Sequence, residues 1–483
     1  MKETNRRGGW LAVVLCASWI AIGFCGTASC AAPIAGDDMS ETDLLLFFRT
    51  ATDAPRRSPA PDSVSLEEAP TAESAPIPPE LFGMHMLHLH DGTETAPDWP
   101  AIPIGSARIN VDSGMSWYYA LESAPGKFNW TMLDAWLDDA YRHGADLVYT
   151  FGNTPPWASR LGTEESCDGS GHANCPPRLE AWDAFIRAIV EHNRDHVNPD
   201  GSRGGKIRYW ELWNEPNEGT FSGNHGFWYD PNDVKTLVEM AEHLYREVKS
   251  IDPSAQILTP AYTSSGRGRS PAAQLAQYLN AGGGKYADII SFHGYYRDLP
   301  EEIFPYVAQI RASMAANGVA DKPLWDTEAS WGWDKELSNP DGQQAFVARA
   351  YAIRYSLGVT RLYWYAWDGS AGQDRPGWGT LWDKTNGIHG AGRAYRETYR
   401  WLVGARMTRR CAPQQGTIWT CELRRPGGYH ALMAWDAAGT KSSYQPAEEY
   451  VRYRTLDGGA VPRIGPTIEL GAKPILLESG PAK

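Results

Sequence analysis

Between residues 81 and 400, short apolar runs alternate with longer stretches in which apolar residues recur every three or four positions. The short runs are rich in β-branched and aromatic residues and are bounded by Gly, Pro or polar residues, which is typical of buried strands. They predict eight strands, over residues 81–88, 107–111, 146–151, 207–213, 256–260, 288–293, 323–327 and 361–365.

The longer stretches between these runs have the spacing of amphipathic helices. They predict helices over residues 131–143, 179–192, 234–250, 271–279, 305–316 and 343–357. Strands that alternate with helices form parallel sheets, and eight such units favour a closed barrel over an open doubly wound sheet. We therefore expect an α/β fold, a (β/α)8 TIM barrel over residues 81–400.

The helical spacing stops after about residue 400. Residues 417–424, 429–435, 450–456 and 474–478 predict short strands that are separated by Gly and Pro. We interpret residues 401–483 as a small C-terminal β-sandwich domain that packs on the barrel. Whether this domain shares a strand with the chain that precedes the barrel stays open.

Residues 1–31 have the pattern of an export signal. Three basic residues precede an apolar stretch over residues 10–24, and small residues follow it. This stretch is short for a bilayer span, which needs about 20 apolar residues. A cleaved signal peptide, an uncleaved membrane anchor and a lipid tether on Cys30 all remain open.

Residues 32–80 contain eight prolines among Ala, Ser, Glu and Asp. Such a composition cannot bury a core and predicts a linker. With the segment that precedes it, this linker predicts an exported protein that is periplasmic, at the cell surface or secreted, with a membrane tether through the N-terminus or Cys30 as one alternative.

Four cysteines follow the N-terminal segment, as the close pairs Cys167/Cys175 and Cys411/Cys421. Two local pairs in an exported chain predict two disulfides that fasten short loops. A metal site is the alternative, but neither pair has the C-x-x-C spacing that is typical of zinc ligands.

The net charge of the chain limits the kinds of molecule that it is expected to bind. The formal net charge is −13 over 483 residues, which argues against a nucleic-acid groove because phosphates need clustered Lys and Arg. A neutral or cationic polymer, or a small ligand, is expected instead. The chain also has 21 Trp and 23 Tyr, which fit either sugar-stacking surfaces or a large aromatic core.

Asn214-Glu215-Pro216 ends the fourth predicted strand. The carboxyl ends of barrel strands carry the catalytic residues of this fold, so Glu215 is expected at the open rim. Pro216 cannot continue the strand. Trp210 and Trp213 supply apolar surroundings that raise the pKa of a carboxyl, as a general acid requires.

Glu328 ends the seventh predicted strand in the same manner. The ends of the fourth and seventh strands face each other across a barrel mouth, so Glu215 and Glu328 are expected to flank one bond. Two such carboxylates are what glycosidic cleavage requires. Asp326, two residues upstream, is the alternative second carboxylate.

These motifs resemble those of clan A glycoside hydrolases, which carry Asn-Glu after the fourth strand and Glu after the seventh. Within the clan the chain is most similar to family 39, which includes β-xylosidases and exopolysaccharide-cleaving enzymes of biofilm operons. The matching stretches are Phe-Gly-Asn-Thr-Pro-Pro-Trp at 151–157, Tyr-Trp-Glu-Leu-Trp-Asn-Glu-Pro-Asn at 209–217, Phe-His-Gly-Tyr-Tyr at 292–296 and Asp-Thr-Glu at 326–328. The resemblance covers roughly residues 81–400.

The resemblance implies a retaining glycosidase, with Glu215 as acid/base and Glu328 as nucleophile, that cleaves β-linked sugars without a cofactor. It further implies that Asn214 bonds the sugar 2-hydroxyl, that His293 or Tyr295 positions Glu328, and that Arg108 keeps Glu328 ionised. Both a β-xylosidase and an endo-glycanase remain open.

Aromatic residues just after the strands are expected at the rim, where some of them would stack on sugars. Trp157, Trp331 and Trp367 are the main candidates, and Trp333 and Trp364 have similar positions. The loops 219–230 and 368–392, rich in Gly and aromatics, are expected to wall the substrate subsites.

Two other functions are consistent with a barrel. The first is a metal-dependent hydrolase, in which His88, His90, His293 and Asp368 would hold zinc; the fifth strand lacks the histidine that such a site needs. The second is a carbohydrate-binding barrel without catalysis, which the presence of both glutamates disfavours.

Overall fold

The computed structural model describes residues 75–90, 92, 97–160, 174–217, 232–264, 271–295, 299–332, 337, 339–369, 379–463 and 465–480. The segment predicted to direct export, residues 1–31, and most of the predicted linker lie outside these ranges. Among the described helices, none is both long enough and apolar enough to cross a membrane.

Eight parallel strands form the barrel. They are β1 (Phe82–Met84), β2 (Ser106–Ile109), β3 (Asp146–Thr150), β4 (Ile207–Glu211), β5 (Gln256–Leu258), β6 (Ile290–His293), β7 (Leu324–Ala329) and β8 (Val359–Trp364). Neighbours in the sheet follow the chain, from β5 back to β1 and then from β8 to β6. All eight correspond to strands that the sequence predicted.

A fifth strand in two pieces closes the barrel. β5 pairs with β4, while Tyr262–Thr263, a short strand directly downstream, pairs with β6. Leu258 also forms a parallel bridge to Ile289. Both ends of the sheet therefore belong to one segment of chain, and the strands complete a circle.

Seven described helices surround the strands. They are α1 (Thr131–His143), α2 (Leu179–Asp195), α3 (Val234–Ile251), α4 (Pro271–Asn280), α5 (Ile303–Ala316), α6 (Pro340–Ser356) and α7 (Gly390–Leu402). Local sequence determines where the helices begin and end. α1 ends before Gly144, whose φ is 67°. α3 begins after Asp233, whose side chain accepts the Thr236 N–H. The first six match predicted helices, and α7 was not predicted.

Short elements complete the loops of the barrel. Two-stranded hairpins join Glu122–Ala124 to Lys127–Phe128 and Trp382–Asp383 to Gly387–Ile388. Single helical turns lie at Pro79–Leu81, Val111–Ser113, Trp117–Leu121, Pro156–Ala158, Gly283–Tyr286 and Pro300–Glu302.

Large side chains fill the amino-terminal end of the barrel. Arg361 lies over the rings of Tyr209 and Trp325, and its guanidinium pairs with Asp146, the first residue of β3, at 2.7 Å. A buried cluster surrounds them, formed by Val148, Leu258, Ile289, Trp325 and Tyr363. This end is closed by packing, which leaves the carboxyl ends of the strands as the open face.

The C-terminal part consists of two antiparallel sheets. Its strands are β9 (Arg406–Gln415), β10 (Ile418–Arg425), β11 (Tyr429–Asp436), β12 (Ser442–Tyr444), β13 (Tyr450–Arg454), β14 (Ala460–Pro462), β15 (Ile468–Leu470) and β16 (Ile475–Ser479). Six of them form one sheet in the order β9-β10-β11-β16-β13-β14, and β12 pairs with β15. The predicted (β/α)8 barrel with a small β-sandwich is confirmed, although β9, β12, β14 and β15 were not predicted.

β11, in the interior of the six-stranded sheet, is buried on both faces. Leu432 and Ala434 pack with Leu470 of the two-stranded sheet. Ala431, Met433 and Trp435 belong to the core of the barrel. Trp435 Nε1 also donates to Glu301 Oε1 at 2.7 Å, directly before α5. Alternate residues thus join the sheet to both of its neighbours.

A disulfide between Cys411 and Cys421 links β9 to β10, as predicted. For the other predicted pair, Cys175 is buried and Cys167 lies outside the described residues. The disulfide between them therefore stays a prediction.

Candidate active site

The carboxyl ends of β4, β6 and β7 bring three titratable side chains together. An oxygen of Glu215, a nitrogen of His293 and an oxygen of Glu328 all lie within 4.8 Å of one another. Glu215 and Glu328 are each 7% exposed, and His293 is fully buried. The two glutamates that the sequence singled out thus share one nearly dry site at the open end of the barrel.

Glu215 is held by the chain that follows β5. Its N–H donates to the Ala261 carbonyl at 2.9 Å, and Asn217 exchanges side-chain hydrogen bonds with the backbone of Thr263. Its φ is 42°, in the left-handed region that residues other than Gly seldom occupy. Strained backbone of this kind is tolerated where the surroundings fix it, most often at functional sites.

Glu328 reaches the site through an irregularity in β7. Asp326 pairs with Phe292 and Glu328 pairs with the very next residue, His293, so two residues of β7 advance against one of β6. Strict alternation would turn Asp326 and Glu328 to the same side. The bulge separates them and directs Glu328 into the barrel mouth.

Asp326 points instead toward the helix layer. Its Oδ2 lies 2.7 Å from Arg354 Nε on α6, and its Oδ1 accepts the Gly294 N–H at 2.9 Å. This carboxyl is fully buried. The alternative in which Asp326 replaces Glu328 is therefore wrong, because Asp326 is committed to a structural ion pair outside the barrel wall.

Arg108 connects the site to the floor beneath it. This fully buried guanidinium donates to Glu328 Oε2 at 2.9 Å and to Asn214 Oδ1 at 2.8 Å. Its Nε donates to Glu211 Oε2 at 2.7 Å. The expected contact between Arg108 and Glu328 is present, and the second carboxylate, Glu211, was not foreseen.

Glu211 anchors this network from β4. Besides Arg108, it accepts hydrogen bonds from the hydroxyls of Thr150 and Thr327, at 2.7 and 2.8 Å. Burial opposes its charge, but Arg108 and these donors outweigh burial and lower the pKa of Glu211. An ionised Glu211 therefore fixes the orientation of Arg108.

Tyr295 and His293 contact different glutamates. The Tyr295 hydroxyl donates to Glu328 Oε1 at 2.6 Å. His293 Nδ1 lies 2.6 Å from Glu215 Oε1 and 3.8 Å from Glu328 Oε2. Of the two residues expected to position Glu328, Tyr295 makes the direct hydrogen bond, and His293 belongs to Glu215.

Burial is the largest cause of the pKa shifts of Glu215, Glu328 and His293. It raises the pKa of Glu215 to about 7 and, with the nearby charge of Glu215 as a further cause, raises the pKa of Glu328 to about 7. Burial also lowers the pKa of His293, which favours its neutral form.

The donors decide which glutamate holds a proton. Glu328 receives one hydrogen bond from a cation and one from a phenol, and both stabilise a carboxylate. Glu215 lies beside neutral His293 and accepts from the neutral hydroxyl of Thr263, and no Lys or Arg among the described residues pairs with it. When the two carboxyls hold one proton between them, we expect that proton on Glu215. Glu215 is then uncharged, so it does not repel the negative charge of Glu328. The arrangement supplies one acid and one carboxylate.

The side-chain amide of Asn214 is oriented by Arg108. Because its Oδ1 accepts from Arg108, the orientation of the amide is fixed and Nδ2 is the group left to donate to a ligand. Asn214 is 7% exposed.

Two of the aromatic residues that were predicted to lie exposed at the rim, Trp331 and Trp367, are buried. Trp331 and Trp367 are 1% and 2% exposed. Trp331 packs against Phe346 and Trp364, and Trp367 stacks on Trp382. Both belong to the hydrophobic core, contrary to the expectation of open sugar-stacking faces, because neighbouring aromatic rings cover them.

Among the described residues near the mouth, the side chains of Trp157 and Tyr365 remain partly exposed. Trp157 lies in the turn after β3 and contacts Trp117 edge to face. Tyr365 directly follows β8; burial raises its pKa well above the ordinary value, with Asp112, Glu328 and Glu215 as further causes. Tyr365 was not predicted as a site residue, because nothing in the local sequence pattern distinguishes it from Trp364 and Trp367.

The alternative zinc site of a metal-dependent hydrolase is not assembled. His88 Nδ1 pairs with Asp368 at 2.6 Å, whereas His90 Nε2 turns to Asp139 on α1 at 3.3 Å. Glu215, His293 and Glu328 could supply metal-binding atoms. However, Arg108 and Tyr295 already donate to Glu328, and the charge of Arg108 opposes a second cation.

Several expectations fall outside the described residues. Trp333 does, as do residues 219–230 and the part of 368–392 between 370 and 378. The predicted subsite walls therefore stay predictions.

Neither a family model nor a curated protein matches the sequence. Solved structures do match the fold. A family 39 glycoside hydrolase from the gut symbiont Bacteroides cellulosilyticus WH2 is 16% identical over 86% of this chain and 82% of its own, with a TM-score of 0.60. A GH39 β-xylosidase from Caulobacter crescentus is 17% identical over 85% of this chain and 98% of its own, with a TM-score of 0.57.

A more distant match has the same architecture. The glycoside hydrolase family 30 subfamily 8 xylanase Xyn30A from Clostridium acetobutylicum is 14% identical over 78% of this chain and 90% of its own, with a TM-score of 0.53. At such identities the likeness concerns the fold. This protein has the fold of these glycoside hydrolases over most of its length.

Proposed function

We propose that this protein is a retaining β-glycoside hydrolase, with Glu328 as nucleophile and Glu215 as general acid/base. One observation carries the proposal: an oxygen of each carboxyl lies within 4.8 Å of the other. Retaining enzymes place their two carboxyl groups about 5–5.5 Å apart, whereas inverting enzymes need about 6.5–9.5 Å to admit a water molecule.

In the first step, a carboxylate oxygen of Glu328 bonds to the anomeric carbon as the glycosidic C–O bond breaks. The electron pair of that bond goes to the leaving oxygen, which takes the proton of Glu215. The unequal hydrogen bonding of the two glutamates supports these roles. The products are a glycosyl ester on Glu328 and a free alcohol.

In the second step, the Glu215 carboxylate removes a proton from water while the water oxygen bonds to the anomeric carbon. The ester bond to Glu328 breaks, and its electron pair returns to the carboxylate, which Arg108 and Tyr295 stabilise. Two displacements at one carbon restore the original configuration.

Asn214 is proposed to donate its amide N–H to the sugar 2-hydroxyl. Hydrogen bonds to this hydroxyl strengthen in the transition state. The contact from Arg108 to Asn214 Oδ1 supports this role because it directs Nδ2 toward the ligand.

For the substrate, we propose a β-linked oligosaccharide or polysaccharide. The solved structures of similar fold include a β-xylosidase and a xylanase. A net charge of −13 disfavours strongly anionic polymers. Both xylosidase-like action on chain ends and endo-glycanase action are covered by this proposal.

The test begins with aryl β-glycosides and soluble β-glycans, with the anomeric configuration of the first product followed by NMR. Retention is expected. Release of the inverted anomer would refute double displacement.

Variants then test the roles on the best substrate. Glu328→Gln is expected to lower kcat by at least about 10⁴-fold, since no covalent intermediate can form. Asp326→Asn is the matched control, two residues away on the same strand, and is expected to retain kcat if it folds. Binding of a glycan with no turnover by the wild type would favour the carbohydrate-binding alternative.

We also propose that the protein is exported. The Cys411–Cys421 disulfide supports this, because structural disulfides persist in oxidising compartments. Cell fractionation, with mass spectrometry of the N-terminus and of Cys30, separates a cleaved signal from an anchor or a lipid. Recovery of the uncleaved chain in the cytoplasm with reduced cysteines would contradict export.

A further inference from the structure

A second group of metal-binding side chains lies on the outer surface, between α1 and α2. Among the described residues, two groups of acidic and imidazole side chains come within metal-binding distance, and this one contains Asp134, His192 and His196. His192 lies in the last turn of α2, His196 directly follows that helix, and Asp134 lies in the first turn of α1. The start of α1 and the end of α2 thus bring three ligands, two imidazoles and one carboxylate, to one point.

Both imidazoles converge on a single carboxylate oxygen. His192 Nε2 lies 2.6 Å from Asp134 Oδ1, and His196 Nδ1 lies 3.3 Å from the same atom. A tetrahedral zinc ion holds neighbouring N and O ligand atoms roughly 3.3 Å apart, from metal–ligand bonds of about 2.0–2.1 Å. His196 already has this spacing, and His192 needs to withdraw by about 0.7 Å.

The other nitrogen of His196 has its own acidic partner. His196 Nε2 lies 3.0 Å from Asp138 Oδ1, one helical turn beyond Asp134. Of the two ring nitrogens, Nε2 is the one in a hydrogen bond, with Asp138, and Nδ1 faces the Asp134 oxygen at 3.3 Å. With Nε2–H donating to Asp138, the lone pair of Nδ1 is available to an ion bound between Nδ1 and Asp134. This is the carboxylate–histidine–metal arrangement of many zinc sites.

The surroundings pre-organise the ligands. Trp130 stacks on the His192 ring with 4.6 Å between centroids. The His196 side chain is 8% exposed, while that of Asp134 is 43% exposed. The rings are therefore held in place on the protein side, and a fourth ligand can come from solvent.

We propose that Asp134, His192 and His196 bind a zinc ion, with Asp138 orienting His196, and that the ion fastens α1 to α2. The site is independent of the proposed glycosidase chemistry. Two imidazoles and one carboxylate are ligands that suit Zn²⁺; Asp134 supplies one negative charge to the ion, and Asp138, which also pairs with Arg142 at 3.3 Å, lies beyond His196.

The test uses the full chain without a polyhistidine tag, freed of metal by a chelator and dialysed. Titration with ZnCl₂ in a calorimeter is expected to show a saturable site that His196→Gln and Asp134→Asn each remove. Asp138→Asn, which keeps all three ligands and removes the orienting carboxylate together with its pair to Arg142, is expected to weaken zinc binding by about 10–100-fold.

His243→Gln is the matched control, because His243 pairs with one carboxylate, that of Asp183 at 2.7 Å, and also contacts the Arg246 guanidinium at 3.0 Å, whose positive charge opposes a bound cation. It is expected to leave zinc binding unchanged. Zinc-edge X-ray absorption on the wild type, which needs no variant to fold, is expected to show two imidazoles and oxygen ligands. No saturable zinc binding, an unchanged stoichiometry in His196→Gln, or a zinc spectrum without imidazole would each overturn the proposal.

Discussion

Arg108 Nη1 lies 2.9 Å from Glu328 Oε2, and both groups are buried. Arg108→Lys keeps the charge but loses the fork that bonds Glu211, Asn214 and Glu328 together. We expect kcat/KM to fall by about 10²–10³-fold, the usual cost of losing an electrostatic contact at a reacting centre. Steady-state kinetics on an aryl glycoside measures this.

Arg361→Lys is the control for Arg108→Lys. Arg361 is also buried and paired, with Asp146, but at the closed end of the barrel. This variant is expected to lower the free energy of unfolding and to leave kcat/KM of the folded fraction near the wild-type value. Equal losses of activity in both variants would mean that Arg108 acts through stability alone.

The raised pKa values predict the dependence of rate on pH. The acid must be protonated, and burial raises the pKa of Glu215 to about 7. We expect a bell-shaped profile of kcat/KM whose alkaline limb lies near pH 7 and whose acid limb reports ionisation of Glu328. Because the two carboxyls interact, both limbs belong to the pair.

Glu215→Gln tests the origin of that limb. With a leaving group that needs no proton, this variant is expected to keep measurable glycosylation and to lose the alkaline limb. Persistence of the same limb would assign it to another group.

Glu215 also makes stability depend on pH. Its pKa rises from 4.5 when unfolded to about 7 when folded, so the folded protein binds more protons between these values. The free energy of unfolding should therefore fall as pH rises from 4.5 to 7. We expect Glu215→Gln to be more stable than the wild type at pH 8 and to lose this advantage at pH 4. Urea unfolding at both pH values measures it; an advantage independent of pH would contradict the linkage.

Tyr295→Phe removes the hydroxyl that lies 2.6 Å from Glu328 Oε1. We expect kcat to fall by about 10²-fold, since the carboxylate loses one of its two donors. Tyr262→Phe is the control, because its buried hydroxyl has no hydrogen-bond partner among the described residues. Kinetics on both variants should show a loss for Tyr295→Phe alone.

The local pattern of hydrophobic residues was sufficient to predict the strands and most of the helices of the barrel. Each barrel strand is an apolar run with a clear end, and Pro216 marks the end of the fourth, so Glu215 could be placed at the rim. The helix α7 escaped prediction because it begins with Gly390 and Gly392, which have low helix propensity. Gly392 is needed there, since a Cβ would lie 2.8 Å from the Leu381 carbonyl oxygen.

Contacts between distant strands could not be read from local pattern. Glu211 looks like any residue inside a strand, and its role depends on Arg108, 103 positions earlier. Likewise, the bulge in β7 decides that Glu328 and not Asp326 enters the mouth. Such outcomes follow from the register between strands, which is set by the packing of the whole barrel.

The C-terminal sheet cannot be removed without exposing part of the barrel core. Trp435 is completely buried, bonds to Glu301 beside α5 and packs in the same core as the barrel helices. A truncation after α7 would uncover that core and leave Glu301 without its indole partner. The strands β9–β16 are thus a permanent wall of the barrel rather than a detachable accessory, and we expect the two parts to melt together in a single calorimetric transition.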